Sequence, residues 1–352
     1  MKQRYTSLFW FSFLLFMFVN MVLFAQTDSL KKQEEEIEDY SSYGDDTSVK
    51  RYCTQKVQFL APTKLISLGY EVQLPQELTT TMPQVPAQNI TSSHGLRLGV
   101  NTPIISRSNL IVNLGASYYE SRMTFENPQN VTNPFFKSLE QNGLRTAGAM
   151  LTIFKPLNEK NFIIAAVNAD MNGNFGWSNI PSFNKVRYSA LSVYGWKKSD
   201  KLMWGLGVAR TYRLGEVNYI PVLLLNKTFN DKWGVEALLP ARGHIRRSFS
   251  AKSLAMFGYE LEGNSYLINT TNDSPLARNL HESELRRSEL KIRFMYEKSL
   301  YNFIWISLQA GLRVNMNFNI SDEESSPRKQ YIMENRLTNP LYFGFSINLV
   351  SP

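Results

Sequence analysis

The stretch PLYFGFSINLV, residues 340–350, limits what this chain can fold into more than any other feature. Leu341, Phe343, Phe345, Ile347 and Leu349 fall on one side of an extended chain, and Tyr342, Gly344, Ser346 and Asn348 on the other. Side chains alternate across a strand, so five large apolar groups share one face and something must cover it. The same period returns in LISLGYEVQL (65–74), NLIVNLGASYY (109–119), LMWGLGVART (202–211), ELKIRFMYE (289–297) and IWISLQAGLRVNM (304–316). The only clear helix-like run is at the N-terminus, so no second class of element is available to cover these faces.

The opposite phase is informative too. It is rich in Gly, Ser, Asn and Ala, with charges of both signs: Ser67, Gly69 and Glu71, then Asn113, Gly115 and Ser117, then Gln309, Gly311 and Arg313. The solvent face of a soluble sandwich would carry mostly Lys, Glu and Thr. Small polar residues suit a confined, wet interior. A sheet closed on itself in lipid accounts for both faces, because closure satisfies every backbone group without leaving an edge.

The spacing predicts an all-β fold, a closed antiparallel up-and-down transmembrane β-barrel. Fourteen strands are read at 65–74, 94–101, 109–120, 144–154, 161–172, 186–197, 201–213, 219–229, 232–240, 243–250, 254–269, 285–297, 302–318 and 339–350; twelve is the alternative count if the 232–250 hairpin is not one. Short turns such as KPLNEK, KKSD, FNDK, SAKS and KSLYN alternate with longer links at 75–93, 121–143, 173–184, 270–284 and 319–338. That asymmetry is the outer-membrane pattern and puts both termini on the periplasmic side. Aromatic residues gather at strand ends: Tyr118, Trp177, Tyr188, Tyr212, Tyr219, Tyr266 and Phe318 toward the outer rim, and Phe162, Trp196, Phe229, Trp233 and Phe303 toward the periplasmic rim. Interface belts favour such rings. The competing reading is the aromatic core of a soluble β protein.

Residues 1–25 read as a secretory signal peptide: Lys2 and Arg4, an apolar run, then Ala25 before Gln26. A retained anchor is the alternative, since the run is long enough to span. Residues 26–56 read as an acidic, disordered periplasmic tail, because QTDSLKKQEEEIEDYSSYGDD (26–46) has too little apolar surface to order itself. Residues 57–352 are then the barrel. The chain is basic elsewhere, so the tail either docks in the barrel mouth or hangs free.

Of the 352 residues 43% are hydrophobic and the mean hydropathy is −0.26, too low for a bundle of membrane helices. The net charge of +8 is scattered, which argues against nucleic acid as a partner. One cysteine, Cys53, excludes an internal disulfide and a Cys-cluster metal site. The three histidines, His94, His244 and His281, are far apart, and no nucleotide, zinc or serine-hydrolase motif is present, so no cofactor is implied. An outer-membrane lipid-modifying enzyme would need a Ser–His arrangement. His94, and His244 with Ser248 on one strand face, are the candidates, and each reads equally as a rim or interior polar residue.

At YIPVLLLNKTFNDKWGVEALLP (219–240) and MFGYELEGNSYLI (256–268) the chain resembles a domain-of-unknown-function family of outer-membrane β-barrel proteins from Bacteroidota. The FNDKW turn, the strand ending LLP and the Gly-rich strand after it carry the likeness, which spans residue 57 to the end. It implies a barrel, no catalytic residues and no ligand. The chain departs from most outer-membrane barrels at its end, Leu349-Val350-Ser351-Pro352, where an aromatic residue is usual.

Such a barrel implies outer-membrane lipid and lipopolysaccharide as surroundings and the barrel-assembly machinery as a partner; the oligomeric state is not legible. The functional reading is a narrow pore or transporter for small or hydrophobic solutes. The alternative is a closed structural or surface-interaction barrel. Candidate interior charges are Glu236, Arg246, Glu260, Glu262, Glu289, Lys291, Arg293 and Arg313. Either they pair and satisfy one another, or they form a selective constriction.

Overall fold

A computed structural model describes residues 51–82, 85–128, 131, 133–176, 181–270, 280, 283–321 and 331–351. The wall strands are β1 (Lys64–Gln73), β3 (Gln88–Arg107), β4 (Leu110–Phe125), β5 (Leu144–Pro156), β6 (Asn161–Gly173), β7 (Arg187–Ser199), β8 (Leu202–Thr211), β9 (Asn218–Thr228), β10 (Trp233–Leu239), β11 (Arg242–Ser250), β12 (Ser253–Ile268), β13 (Ser283–Tyr301), β14 (Ile304–Ser321) and β17 (Leu341–Val350). They form one closed antiparallel barrel of fourteen strands, not twelve, and β10–β11 is a genuine hairpin. The first strand pairs with the last, Tyr70 opposite Phe345 and Leu68 opposite Ile347, which removes the edge.

The alternation read in the sequence is the alternation of the wall. Leu68, Leu98, Leu114, Val167, Leu206, Ile245, Phe257, Phe294, Leu308 and Phe345 all point out and are exposed. Ten strands thus contribute to one apolar belt, the surface a transmembrane barrel presents to lipid. At the short-turn rim the belt ends in Phe229, Trp233 and Phe249. Lys227 lies 5.1 Å from the Phe229 ring, and Arg247 lies 5.2 and 5.3 Å from Trp233 and Phe249. These cations hold the water side of the rings while their stems stay in the apolar layer. Tyr188 and Tyr219 mark the opposite rim, and Trp196 stacks on Trp204 at 4.5 Å.

The wall has two heights. A strand needs about 9–11 residues to cross a bilayer. β3, β13 and β14 have 20, 19 and 18, while β10 and β11 have 7 and 9. The tall strands therefore rise past the lipid, where β2 (Gln76–Thr80), β15 (Tyr331–Met333) and β16 (Asn335–Leu337) join them. There they close a second time. The top of β12 meets the top of β6 directly, Leu267 beside Gly173, although five strands lie between them in the ring below. Asn174 fastens the junction, its N–H donating to the Leu267 carbonyl at 3.2 Å and its Oδ1 accepting from the Asn269 N–H at 2.7 Å. The result is a narrow upper storey on a wide lower one.

The upper storey is filled. Phe125, Phe135, Phe136, Leu139, Ile268, Leu285, Phe318 and Ile320 form its core. A helix, Pro134–Asn142, supplies three of them from a stretch the sequence reads as loop. Asn133 caps it by accepting from the Phe135 N–H at 2.9 Å, Pro134 starts it, and Gly143 ends it at φ +65, a conformation that favours glycine. Phe318 and Ile320 turn inward because a register shift opposite Ser288/Glu289 flips the phase of β14. Phe318, Tyr266, Tyr212 and, at the other end, Phe162 are therefore buried rings and not part of a lipid belt, which corrects the sequence reading; Trp177 lies outside the described residues.

Candidate functional site

The lower storey encloses a bore with two unlike halves. On β1, β3, β12, β13 and β14 the inward phase is ionic, and β17 beside them adds Tyr342, Ser346 and Asn348. Arg313 is 0% exposed and is gripped by Glu71 and Glu289. Lys291 reaches Glu71 at 3.0 Å and Glu262 at 2.8 Å. Glu262 in turn accepts both forks of Arg97, at 2.9 and 2.8 Å. Arg293 binds Glu260 at 2.5 Å. Tyr342, wholly buried, lies under both Lys291 and Arg313, at 5.2 and 5.1 Å. β3 and β12 are not neighbours, so Arg97–Glu262 runs through the bore and not along the wall. Paired and hydrogen-bonded charges are what a low-dielectric interior tolerates.

On β5 to β9 the inward phase is nearly neutral, with Asp170 opposite Gly148 and Lys197 at the mouth among its charges: Gly148, Met150 and Thr152, then Ala166 and Asn168, then Ser189 and Leu191, then Gly207 and Ala209, then Ile220 and Val222. Met150 points inward yet is 36% exposed. That exposure is room beside it in the bore.

The short-turn mouth is covered by residues 51–63, which include 51–56 of the stretch the sequence assigns to the tail. Cys53 and Val57 pack on Phe154, Phe162 and Met203. Lys197 donates to the Lys56 carbonyl at 2.9 Å and to Thr54; Thr228 donates to the Gln58 carbonyl at 2.8 Å; Glu236 accepts from the Ala61 N–H at 3.2 Å. Arg246 stands 3.4 Å from Glu236. Burial pushes the Cys53 thiol up, against the pull of Lys197, and pushes the Lys56 ammonium down, against Glu236. Residues 26–46 lie outside the described residues.

The family model described as Domain of unknown function (DUF6268) matches residues 88–349. The chain belongs to this family. No curated protein matches it. Among solved structures it is similar to the TodX deltaS2S3 mutant monoaromatic hydrocarbon channel, at 11% identity and a TM-score of 0.40 over 83% of this chain and 92% of that one. It is also similar to the Pseudomonas putida toluene transporter TodX, at 10% identity and a TM-score of 0.34 over 85% and 95%. Likeness this distant says nothing about what the present barrel carries.

The eight charges singled out in the sequence thus fall in two groups. Glu262, Glu289, Lys291 and Arg313 share one network with Glu260 and Arg293 paired beside it, and Glu236 with Arg246 sits apart near the mouth. The partners Glu71 and Arg97 are missing from that set, although both stand in the polar phase of strands already recognised. Lys64 is another, at 2.6 Å from Glu297 in a lower tier with Ser307 and Asn348. Of the histidines, His94 faces outward beside Tyr70, His244 faces the bore and His281 is outside the described residues. The described residues hold no group of three metal-ligating side chains.

Proposed function

We propose that this barrel is an outer-membrane channel for small, uncharged, apolar solutes. One observation carries the reading: all but a few of the bore's charges, Asp170 among the exceptions, are paired with one another on one half of the wall, and the room beside Met150 is left to the other half, whose inward phase is mostly small or apolar. An ion entering that space would exchange its hydration for apolar and small neutral groups, which is costly; an uncharged apolar molecule gains. A charge-selecting pore would instead hold unpaired charges at its constriction.

The location rests on the apolar belt, the short-turn/long-loop asymmetry and the N-terminal run read as a cleaved signal. The mature chain should fractionate with the outer membrane and migrate faster on gels before heating than after; a soluble periplasmic pool would overturn this.

The test of function is uptake of the fluorescent apolar probe N-phenyl-1-naphthylamine by cells whose outer membrane carries lipopolysaccharide, with ion conductance of the refolded chain measured in planar bilayers. The expected result is faster uptake than in cells lacking the chain, with little steady current. Large steady currents without uptake would mean an ion pore. The covered ends favour a second reading, a closed structural barrel, which predicts neither uptake nor current.

A further inference from the structure

One carboxylate of the bore is left out of the pairing. Asp170 lies in the inward phase of β6, opposite Gly148 on β5 and Arg187 on β7. Among the described residues it makes no hydrogen bond and no ion pair. The two arginines on this side are engaged elsewhere: Arg187 donates to Glu284 at 3.3 Å, and Arg213 donates to the Leu261 carbonyl at 2.6 Å. A half-buried carboxylate without a fixed donor costs stability unless something else supplies one.

The wall beside it forms a recess. Gly99 on β3, Ser117 on β4, Gly148 and Asp170 stand in one row across four strands. Asn101, Met150 and Asn168 belong to the next row toward the short turns. Ser117 and Met150 point inward yet are exposed, so both rows face open space. An ideal Cβ on Gly148 would collide with Asp170 Oδ1 and lie 3.3 Å from Ser117 Oγ. Only glycine at this place leaves the carboxylate its seat beside the hydroxyl.

The polar atoms around the seat are unsatisfied. The Oδ1 atoms of Asn101 and Asn168 are buried with no hydrogen-bond partner. Two residues further along β6, Asn172 is 3% exposed, and neither its Oδ1 nor its Nδ2 is bonded. It shares the inward phase of Asn168 and Asp170. Buried polar groups nearly always find partners, so several without one on a single strand face mark a place where a ligand supplies them. We infer that this recess binds the hydroxyl end of an alcohol or phenol whose apolar body lies along Met150, Leu191 and Ile220.

A hydroxyl fits both needs of the seat. Its O–H donates to Asp170 in a charge-assisted bond, about twice as strong as a neutral one. Its oxygen accepts from Ser117 or from a side-chain amide of Asn168 or Asn172. A plain hydrocarbon offers neither, and a carboxylate is repelled by Asp170. An ammonium would have to give up its hydration for a wall with a single free anion.

The site rests on the channel reading in one respect, since the solute needs a way into the bore. The mature chain refolded in lipid nanodiscs, with empty nanodiscs as the blank, should bind 1-naphthol about tenfold tighter than 1-methoxynaphthalene, which has the same rings and no donor. That is the scale of one hydrogen bond to a charged group. 1-Naphthoate should bind more weakly still. Asp170→Asn, which keeps the shape, and Gly148→Ala, which pushes the carboxylate off its seat, should each lose most of the preference and leave 1-methoxynaphthalene binding as it was; heat-modifiable mobility checks that both variants still close. Equal binding of the two compounds by the native chain, or a preference that survives Asp170→Asn, would mean that water alone fills the recess and would overturn the assignment. Tighter binding of 1-naphthylmethylammonium than of 1-naphthol would overturn it in favour of a cation seat. N-phenyl-1-naphthylamine uptake by cells decides the channel reading separately: uptake without the hydroxyl preference leaves the channel and removes the site, and the preference without uptake keeps the site in a barrel that does not conduct.

Discussion

The ionic and neutral halves of the bore are built from the same barrel and the same outward face, yet they stabilise the fold in different ways. The ionic half buries its charges to exclude water, and each partner depends on the next. Glu71 serves both Arg313 and Lys291, and Glu262 serves both Lys291 and Arg97. The neutral half contributes little beyond a wall. Removing one member of the first should therefore strand others, whereas trimming the second should only enlarge the space. On the channel reading proposed above, stability and passage are carried by opposite sides.

The largest expected effect tests that division. Arg313→Ala leaves Glu71 and Glu289 short of a buried partner and should cost about 3–5 kcal/mol. Met150→Ala, half-exposed on the neutral side, should stay within about 0.5 kcal/mol. Urea unfolding from lipid vesicles, followed by tryptophan fluorescence, measures both, and equal losses would break the comparison. Next, the outward faces should be alike. Leu308→Arg and Leu206→Arg both meet lipid, and each should cost about 2–4 kcal/mol near the midplane. Gln309→Arg, one residue on and facing the bore, should cost no more than about 1 kcal/mol. The smallest change in stability is expected from Met150→Trp, which should leave the unfolding midpoint nearly unchanged but lower apolar-probe uptake severalfold by filling the room beside it. Uptake unaffected by Trp at this position would place the path elsewhere.

Much of this was legible in residues alone. A two-residue period needs no partner to be read, so the fourteen strands and the outward set from Leu68 to Phe345 follow from local pattern. The charges were legible too, but only where the search looked: Glu71 and Arg97 lie near the other end of the chain from Lys291 and Glu262. The second closure was not. Leu267 meets Gly173 without any periodic signature, and whether a polar segment such as NITSS (89–93) continues a strand past the lipid depends on what stands beside it. PFFKSLEQN (134–142) reads as part of a loop because a nine-residue helix is too short to show its period. The inward turn of Phe318 depends on a one-residue irregularity that composition cannot display.

The covering of the short-turn mouth has a consequence of its own. Most of the grip falls on main-chain atoms: the Cys53 N–H meets the Asn158 carbonyl at 3.0 Å, the Gln58 N–H meets the Asp200 carbonyl at 2.7 Å, and the carbonyls of Lys56 and Gln58 and the N–H of Ala61 are held by Lys197, Thr228 and Glu236. Every peptide offers those same atoms. Apart from the places taken by Cys53 and Val57, the mouth reads the presence of a strand of chain and is largely indifferent to its letters. Substitutions along residues 51–63 should then drift freely at most positions, and an unrelated extended peptide of matching length, supplied from the same side, could compete for the seat.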